Sequence, residues 1–201
     1  MRKRENYLEE GISAVLPVYT EGVGDTTVLI NQKGEKRVIY KKMKAVLKGI
    51  ASSLSYDLVE LRKKYGEIID QKVKIPIPLQ HDLILMPVVV RQPLVQGDET
   101  YGYINYRCID QIIREGKYCR VILKNGIEIQ LLQSYSTTQK NILNAQLVEK
   151  HFLENNYKGI EKISSLQELN QELHCPATRG DIVVLYEHIK KLIEMLESNL
   201  K

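Results

Sequence analysis

Four histidines, three cysteines and the acidic and hydroxyl residues around them are the groups with which this chain of 201 residues could do covalent or metal chemistry. Their spacing builds neither. His174 and Cys175 are adjacent and His188 lies one predicted helix further on. Structural zinc sites, however, take their ligands in pairs about two to five residues apart. His81 and His151 stand alone, and His188 reads as a side chain on a helix's apolar face. Cys108, Cys119 and Cys175 include no Cys-x-x-Cys pair, and such sparse, odd cysteines suit buried, reduced thiols in a cytosol. Gly22-Val23-Gly24-Asp25 comes nearest to a phosphate-cradling loop, but it lacks the later Gly-Lys-Ser and reads as a hairpin turn. No Gly-x-Ser-x-Gly elbow is present. Glu60 precedes Lys64 by four residues, which is ordinary ion-pair spacing on a solvated helix face. The expectation is a protein that is not an enzyme and that holds no metal and no cofactor.

What recurs instead is a cation or hydroxyl at the end of an apolar segment. Arg62, Lys63 and Lys64 close a short helix, Arg91 follows an aliphatic strand, and Arg107 lies in another strand. Lys124 and Asn125 form a hairpin tip, and Ser134, Tyr135 and Ser136 lead into a helix that carries Lys140. DNA phosphates are held by Lys and Arg, by Ser, Asn and Tyr side chains, and by N–H groups at helix starts. These eleven residues are therefore the candidate DNA contacts. Each also has a purely structural reading: the triplet complements a helix dipole, and the hydroxyl run caps a helix.

The elements that position them follow from periodicity. Strands are predicted over Ile12–Tyr19, Thr26–Asn31 and Lys36–Lys42, with Gly34 as pivot of the second turn. Met43–Leu54 and the segment from Ser55 to Gly66 have helical spacing, with Ser55 as N-cap and Gly66 just past the end. Lys72–Leu79 alternates but carries two prolines, so it belongs at a sheet edge or in an extended segment. Leu83–Val90 reads as a buried strand that Pro87 bulges or ends, and Tyr101–Cys108 as a half-exposed one. Ile109–Gly116 reads as a short turn or helix. Asn125-Gly126 between apolar runs predicts a hairpin with a type I′ turn. A helix is expected over Ser136–Glu154, ended by Asn155-Asn156-Tyr157-Lys158-Gly159. Its apolar face would comprise Ile142, Leu143, Ala145, Gln146, Leu147, Val148 and Phe152. Ser165-Leu166-Gln167-Glu168 reads as a capping box starting a short helix, and Asp181 as the cap of a last one to about Leu196. The fold class is α+β, a mainly antiparallel β core with flanking helices and a C-terminal helical segment. A DNA-binding unit over residues 1–155 would be followed by a helical extension over 156–201.

The order of motifs from Ile75 to Asn144 resembles the competence transcription factor family, ComK. The residues that carry the likeness are Ile75-Pro76, Asp82-Leu83-Ile84-Leu85-Met86-Pro87, Arg91, Gly102-Tyr103-Ile104, Asn125-Gly126 and Ser134-Tyr135. Upstream, Ser13-Ala14-Val15-Leu16-Pro17 looks like the family's first strand. Ser52 to Lys63 resembles its Ser-Tyr-x-Gly-Arg-Lys region, with LSYDLVELRKKYG in place of the early glycine. The segment from Tyr103 to Ile142 also echoes the LytTR response-regulator DNA-binding domain, which implies a β-rich DNA-binding core. The ComK likeness implies a sequence-selective transcription activator of DNA uptake that binds A/T-rich boxes chiefly through the minor groove. It implies a homodimer or higher homo-oligomer, and a proteolytic adaptor as a further partner. The family's adaptor-binding segment is not recognisable between Glu154 and Lys201.

Composition is consistent with that class. Hydrophobic residues make up 43% and charged residues 27%, which fits a folded domain rather than a disordered chain. No apolar run approaches the roughly 20 residues that span a bilayer, and the basic start has no signal-peptide core. A cytoplasmic protein without membrane partners is expected. The net charge of +4 permits nucleic-acid binding without demanding it. The competing expectation is a protein-interaction or regulatory module of the same fold without DNA binding, motivated by the balanced tail from Glu154 onward.

Overall fold

The apolar run Ile12–Thr20 becomes β1, which turns into β2 (Gly24–Asn31) and then β3 (Lys36–Ile39), all antiparallel. Gly34 sits at φ +88° in the second turn, a value that favours glycine. Two helices come next, α1 (Met43–Ser53) and α2 (Leu58–Ile68). A second meander comprises β4 (Ile77–Gln80), β5 (Leu83–Val89) and β6 (Tyr101–Asn105). The strands form one sheet in the order β3-β2-β1-β6-β5-β4, so the Pro78-containing β4 does lie at an edge. A 3-10 turn (Tyr106–Cys108) leads to a three-stranded sheet of β7 (Ile109–Glu115), β8 (Tyr118–Leu123) and β9 (Glu128–Leu131), and then to α3 (Tyr135–Leu173). The fold is α+β, with a mainly antiparallel β core, flanking helices and a C-terminal helical segment. The computed structural model describes residues 8–95, 98–173 and 189–190, with 156–173 as helical backbone only. The chain divides into two compact units, residues 1–155 and 156–201, and all the candidate contacts lie in the first.

Several expectations are corrected. Ile109–Gly116 is not a turn or helix but mostly strand β7. A bulge between Ile109 and Gln111 lets Ile109 oppose Leu123 and Ile112 oppose Val121, so inward residues recur every third position and mimic a helix. β6 is a buried interior strand rather than a half-exposed one, and Arg107 belongs to the 3-10 turn. Pro87 neither bulges nor ends β5, since its pairing with Tyr103 is in register. β3 stops at Ile39. Leu143 and Leu147, placed on the apolar face of α3, are 63% and 40% exposed, whereas Thr138, Ala145, Val148 and Phe152 are buried. The Asn155–Gly159 stretch does not end α3, and Ser165 does not start a new helix. One mid-helix glycine costs only ~1 kcal/mol, which a long helix absorbs. The last helix predicted from Asp181, the break at His174–Gly180 and the His174, Cys175 and His188 group lie outside the described residues, except positions 189–190, which are helical.

The hairpin exists, but its turn is not type I′. Gly126 N–H donates to Leu123 O (2.8 Å) and Leu123 N–H to Ile127 O (2.9 Å). Only Gly126 has positive φ, at +80°. That is a type I turn closed by a glycine bulge.

Ser55 has φ +63° and does not cap α2. Asp57 does, accepting from Val59 N (2.7 Å) and Glu60 N (3.1 Å), and these bonds lower its pKa. Gly66 is inside α2, where it permits close packing. A Cβ there would meet Gln71 O at 2.6 Å and Ile75 Cδ1 at 2.9 Å. Gly66→Ala, which in an exposed helix would gain ~1 kcal/mol, is therefore expected to cost about 1–2 kcal/mol by overpacking. Thermal unfolding of the variant checks the sign.

Candidate nucleic-acid interface

Helix α1 turns Met43, Val46, Leu47, Ile50 and Ala51 inward, against β1 and β2, which leaves Lys44 and Lys48 in solvent. Helix α2 buries Leu58, Leu61, Tyr65 and Gly66, packs on α1 and β4, and presents Lys63 and Lys64. Because α2 runs on to Ile68, the Arg62-Lys63-Lys64 triplet lies mid-helix and not in the last turn, so the dipole reading fails. Arg62 is half-buried and donates from Nη2 to the Tyr103 hydroxyl (3.3 Å). Burial pushes the Tyr103 pKa up to about 12, so it stays a neutral partner. Lys64 Nζ stands 5.3 Å from the Tyr65 ring centroid.

Segment 41–74 carries nine Lys or Arg against four Asp or Glu, an excess larger than the +4 of the whole chain. Five of those nine cations, Lys44, Lys48, Arg62, Lys63 and Lys64, lie on α1 and α2, and Lys41, Lys42, Lys72 and Lys74 flank the helices. Lys41, Lys42, Lys44 and Lys48 were not among the candidates, although the clustering of Lys and Arg in the first 64 residues is visible in the sequence.

Arg91 is not a surface contact. Its Nη2 pairs with Asp25 Oδ1 (2.7 Å), its Nε donates to Glu99 O (2.6 Å), and its guanidinium lies 4.3 Å from the centroid of the Tyr19 ring. The two ionic side chains are only 12% and 9% exposed. Burial and the nearby Asp25 raise the Glu99 pKa, and Arg91 opposes that rise. Arg91 Nη1 and Glu99 Oε2 are buried without a hydrogen-bond partner among the described residues. This group ties the 91–100 loop to the start of β2.

Arg107 is bound through Nε to Glu149 of α3, which also accepts from the Tyr106 hydroxyl. Lys124 is exposed and forms no ion pair among the described residues. Its backbone N–H donates to Cys108 O (2.8 Å). Asn125 is committed internally: Nδ2 donates to Asn31 O (3.0 Å) and Oδ1 accepts from Ile127 N (3.1 Å). The hairpin tip is thus docked on the β2–β3 turn instead of projecting. Arg107, Lys124 and Asn125 do meet, around one polar pocket that Ser13, Asp82 and Cys108 also line.

The hydroxyl run is largely a joint. Ser134 caps α3 by accepting from Thr137 N (3.1 Å). Gln133 accepts from Val89 N (2.9 Å) and donates to Thr138 Oγ1 (2.8 Å), which ties the helix start to β5. Tyr135 lies between Arg114, 5.1 Å from its ring centroid, and Gln139, which donates to its hydroxyl (3.0 Å). Ser136 and Lys140 are exposed. The eleven candidates therefore fall into separate places: the α2 triplet, the closed Arg91 group, the pocket trio and the start of α3.

Among the described residues no group of His, Cys, Asp and Glu could hold a metal ion. No helix of the described residues is long and apolar enough to cross a membrane. Comparison with protein-family models, with curated proteins and with solved structures gave no match.

Proposed function

We propose that the protein is a sequence-selective, DNA-binding transcription activator of the competence type, a binding protein rather than an enzyme. It acts in the cytoplasm on A/T-rich boxes, largely through the minor groove, as a homodimer or higher homo-oligomer. The observation that carries the reading is the cationic excess of segment 41–74, five of whose nine cations lie on α1 and α2. The motif order that resembles the ComK family supports it. A narrow A/T-rich minor groove has enhanced negative potential and attracts such side chains. In this reading Lys44, Lys48, Arg62, Lys63 and Lys64 approach the duplex, and Arg91 serves the scaffold.

Gel shifts on A/T-rich and G/C-rich duplexes at two salt concentrations test it. Affinity should fall steeply with salt, because each neutralised phosphate contributes ~0.9 to the log–log slope. The combined variant Lys44→Gln, Lys48→Gln, Lys63→Gln, Lys64→Gln is expected to flatten that slope by roughly 3–4 if all four touch phosphates. An unchanged slope would remove the layer from the interface. The alternative, an interaction module without DNA binding, draws support from Arg91, Arg107 and Arg120, each neutralised by a carboxylate of the same chain. It predicts no duplex shift at either salt.

A further inference from the structure

Four turns and the start of a strand converge at one end of the six-stranded sheet and enclose a half-open pocket of about 400 Å³. Its floor is the buried pair Ser13 and Cys108. The β8–β9 turn supplies Lys124 and Asn125, the β4–β5 turn supplies Asp82, and Gln32 and Arg107 complete the wall. Among the described residues no aliphatic or aromatic side chain lines it. Ligand pockets of ~300–1,000 Å³ are usually mostly apolar with a few polar groups. A pocket of this size walled by charged and hydrogen-bonding residues suits a small, charged, hydrogen-bonding molecule.

The charges are arranged asymmetrically. Arg107 is balanced by Glu149, and Asp82 has His81 Nδ1 at 3.7 Å. Lys124 has no counter-ion among the described residues. The walls are also fixed. Lys124 N–H is bound to Cys108 O, Asn125 to Asn31 O, and Asn105 Nδ2 to Asp82 O (2.7 Å) and Ile12 O (3.3 Å). A frame fixed in this way, with the Lys124 ammonium and the Asp82 carboxylate both on its wall and not paired with each other, is organised for charge-assisted hydrogen bonds to an oxyanion at one and to a cationic or hydroxyl donor at the other.

We propose that this pocket binds a small polar metabolite, with its oxyanion, a carboxylate or a phosphate, at Lys124 and a hydroxyl or ammonium donor at Asp82. The site is separate from the α1–α2 layer, and its test contains no DNA in the main arm, so either idea can fail alone. Full-length protein is treated with iodoacetamide at mildly alkaline pH, with L-serine, glycerol 3-phosphate or inorganic phosphate present, against chloride of matched ionic strength. Alkylation is read peptide by peptide. Cys119, buried against Gln133 and Thr138 and off the pocket, is the internal reference.

At least one of L-serine and glycerol 3-phosphate should slow Cys108 alkylation several-fold and leave Cys119 unchanged. Which of them does so distinguishes carboxylate from phosphate. Lys124→Gln should abolish the protection, and Asp82→Asn should weaken it. Isothermal titration calorimetry with the same probes and variants is the second readout, and it decides if Cys108 reacts too slowly. No protection and no heat beyond chloride, or equal protection in Lys124→Gln, overturns the proposal. Protection by an A/T-rich duplex but by no small probe also overturns it and assigns the pocket to DNA backbone instead.

Discussion

Arg91→Ala is expected to lower stability by about 3–5 kcal/mol, the cost of breaking a buried pair by removing one partner. The substitution leaves Asp25 and Glu99 facing each other without the guanidinium that neutralises them, and it removes the stack on Tyr19. It also frees the 91–100 loop, because Arg91 Nε holds the Glu99 carbonyl. The penalty should shrink as pH falls. Burial and Asp25 already raise the Glu99 pKa, and without the cation that opposes this the folded state holds the Glu99 proton more tightly than the unfolded chain does, so acid favours the folded variant. Asp25→Asn added to Arg91→Ala should recover part of the loss. Denaturant unfolding at neutral and acid pH, run as a double-mutant cycle, checks both statements. If Arg91→Ala unfolds like the parent but loses DNA affinity, the scaffold role is wrong and Arg91 returns to the interface.

Phe152→Ala should cost a similar amount, about 3–5 kcal/mol. Phe152 is 1% exposed and sits between Tyr56 (centroids 6.3 Å apart, planes at 60°) and Tyr65 (6.4 Å, 55°). Those ring contacts, the first edge-on and the second tilted, add ~0.5–1.5 kcal/mol each beyond the area buried. The ring joins α3 to α2, so the cavity opens where the long helix meets the basic layer. A loss below about 1 kcal/mol would mean that the neighbouring tyrosines collapse into the space and that α3 is held mainly through Glu149 and Thr138. Equilibrium unfolding followed by circular dichroism measures it.

Local patterns in the sequence reach as far as local forces do. The strands β1 and β2, the burial pattern of α1, the Pro-bearing edge strand and the Asn-Gly hairpin all follow from adjacent residues, and the molecule has them. The turn type did not follow, because Asn125 gives its side chain to Asn31, 94 positions away, and keeps a negative φ. Nor did the fate of Arg91. A cation after an aliphatic strand looks solvent-bound until Asp25, 66 positions earlier, is placed beside it. Strand β7 was concealed by its own bulge, which replaces the period of two by a spacing of three. In the candidate site, Lys63 and Lys64 are exposed as their helical spacing requires, and the lysines of α1 belong with them. The hydroxyl run was ambiguous because capping and phosphate binding use the same atoms, and here Ser134 spends its oxygen on Thr137.

The strand order β3-β2-β1-β6-β5-β4 joins two meanders along a single seam, the pairing of Ala14 with Ile104 and Val15 with Tyr103. Each meander closes through short loops, save the 91–100 loop, and can organise early. The seam links positions about ninety apart in the chain, and Gly102 admits it because it lacks a Cβ, which would stand 2.8 Å from Leu16 Cδ2 and 3.0 Å from the Val15 carbonyl oxygen. High contact order of this kind slows folding. During synthesis β1 leaves the ribosome long before its partner exists, and its edge stays open until β6 emerges, a window in which the nascent chain is prone to mispairing.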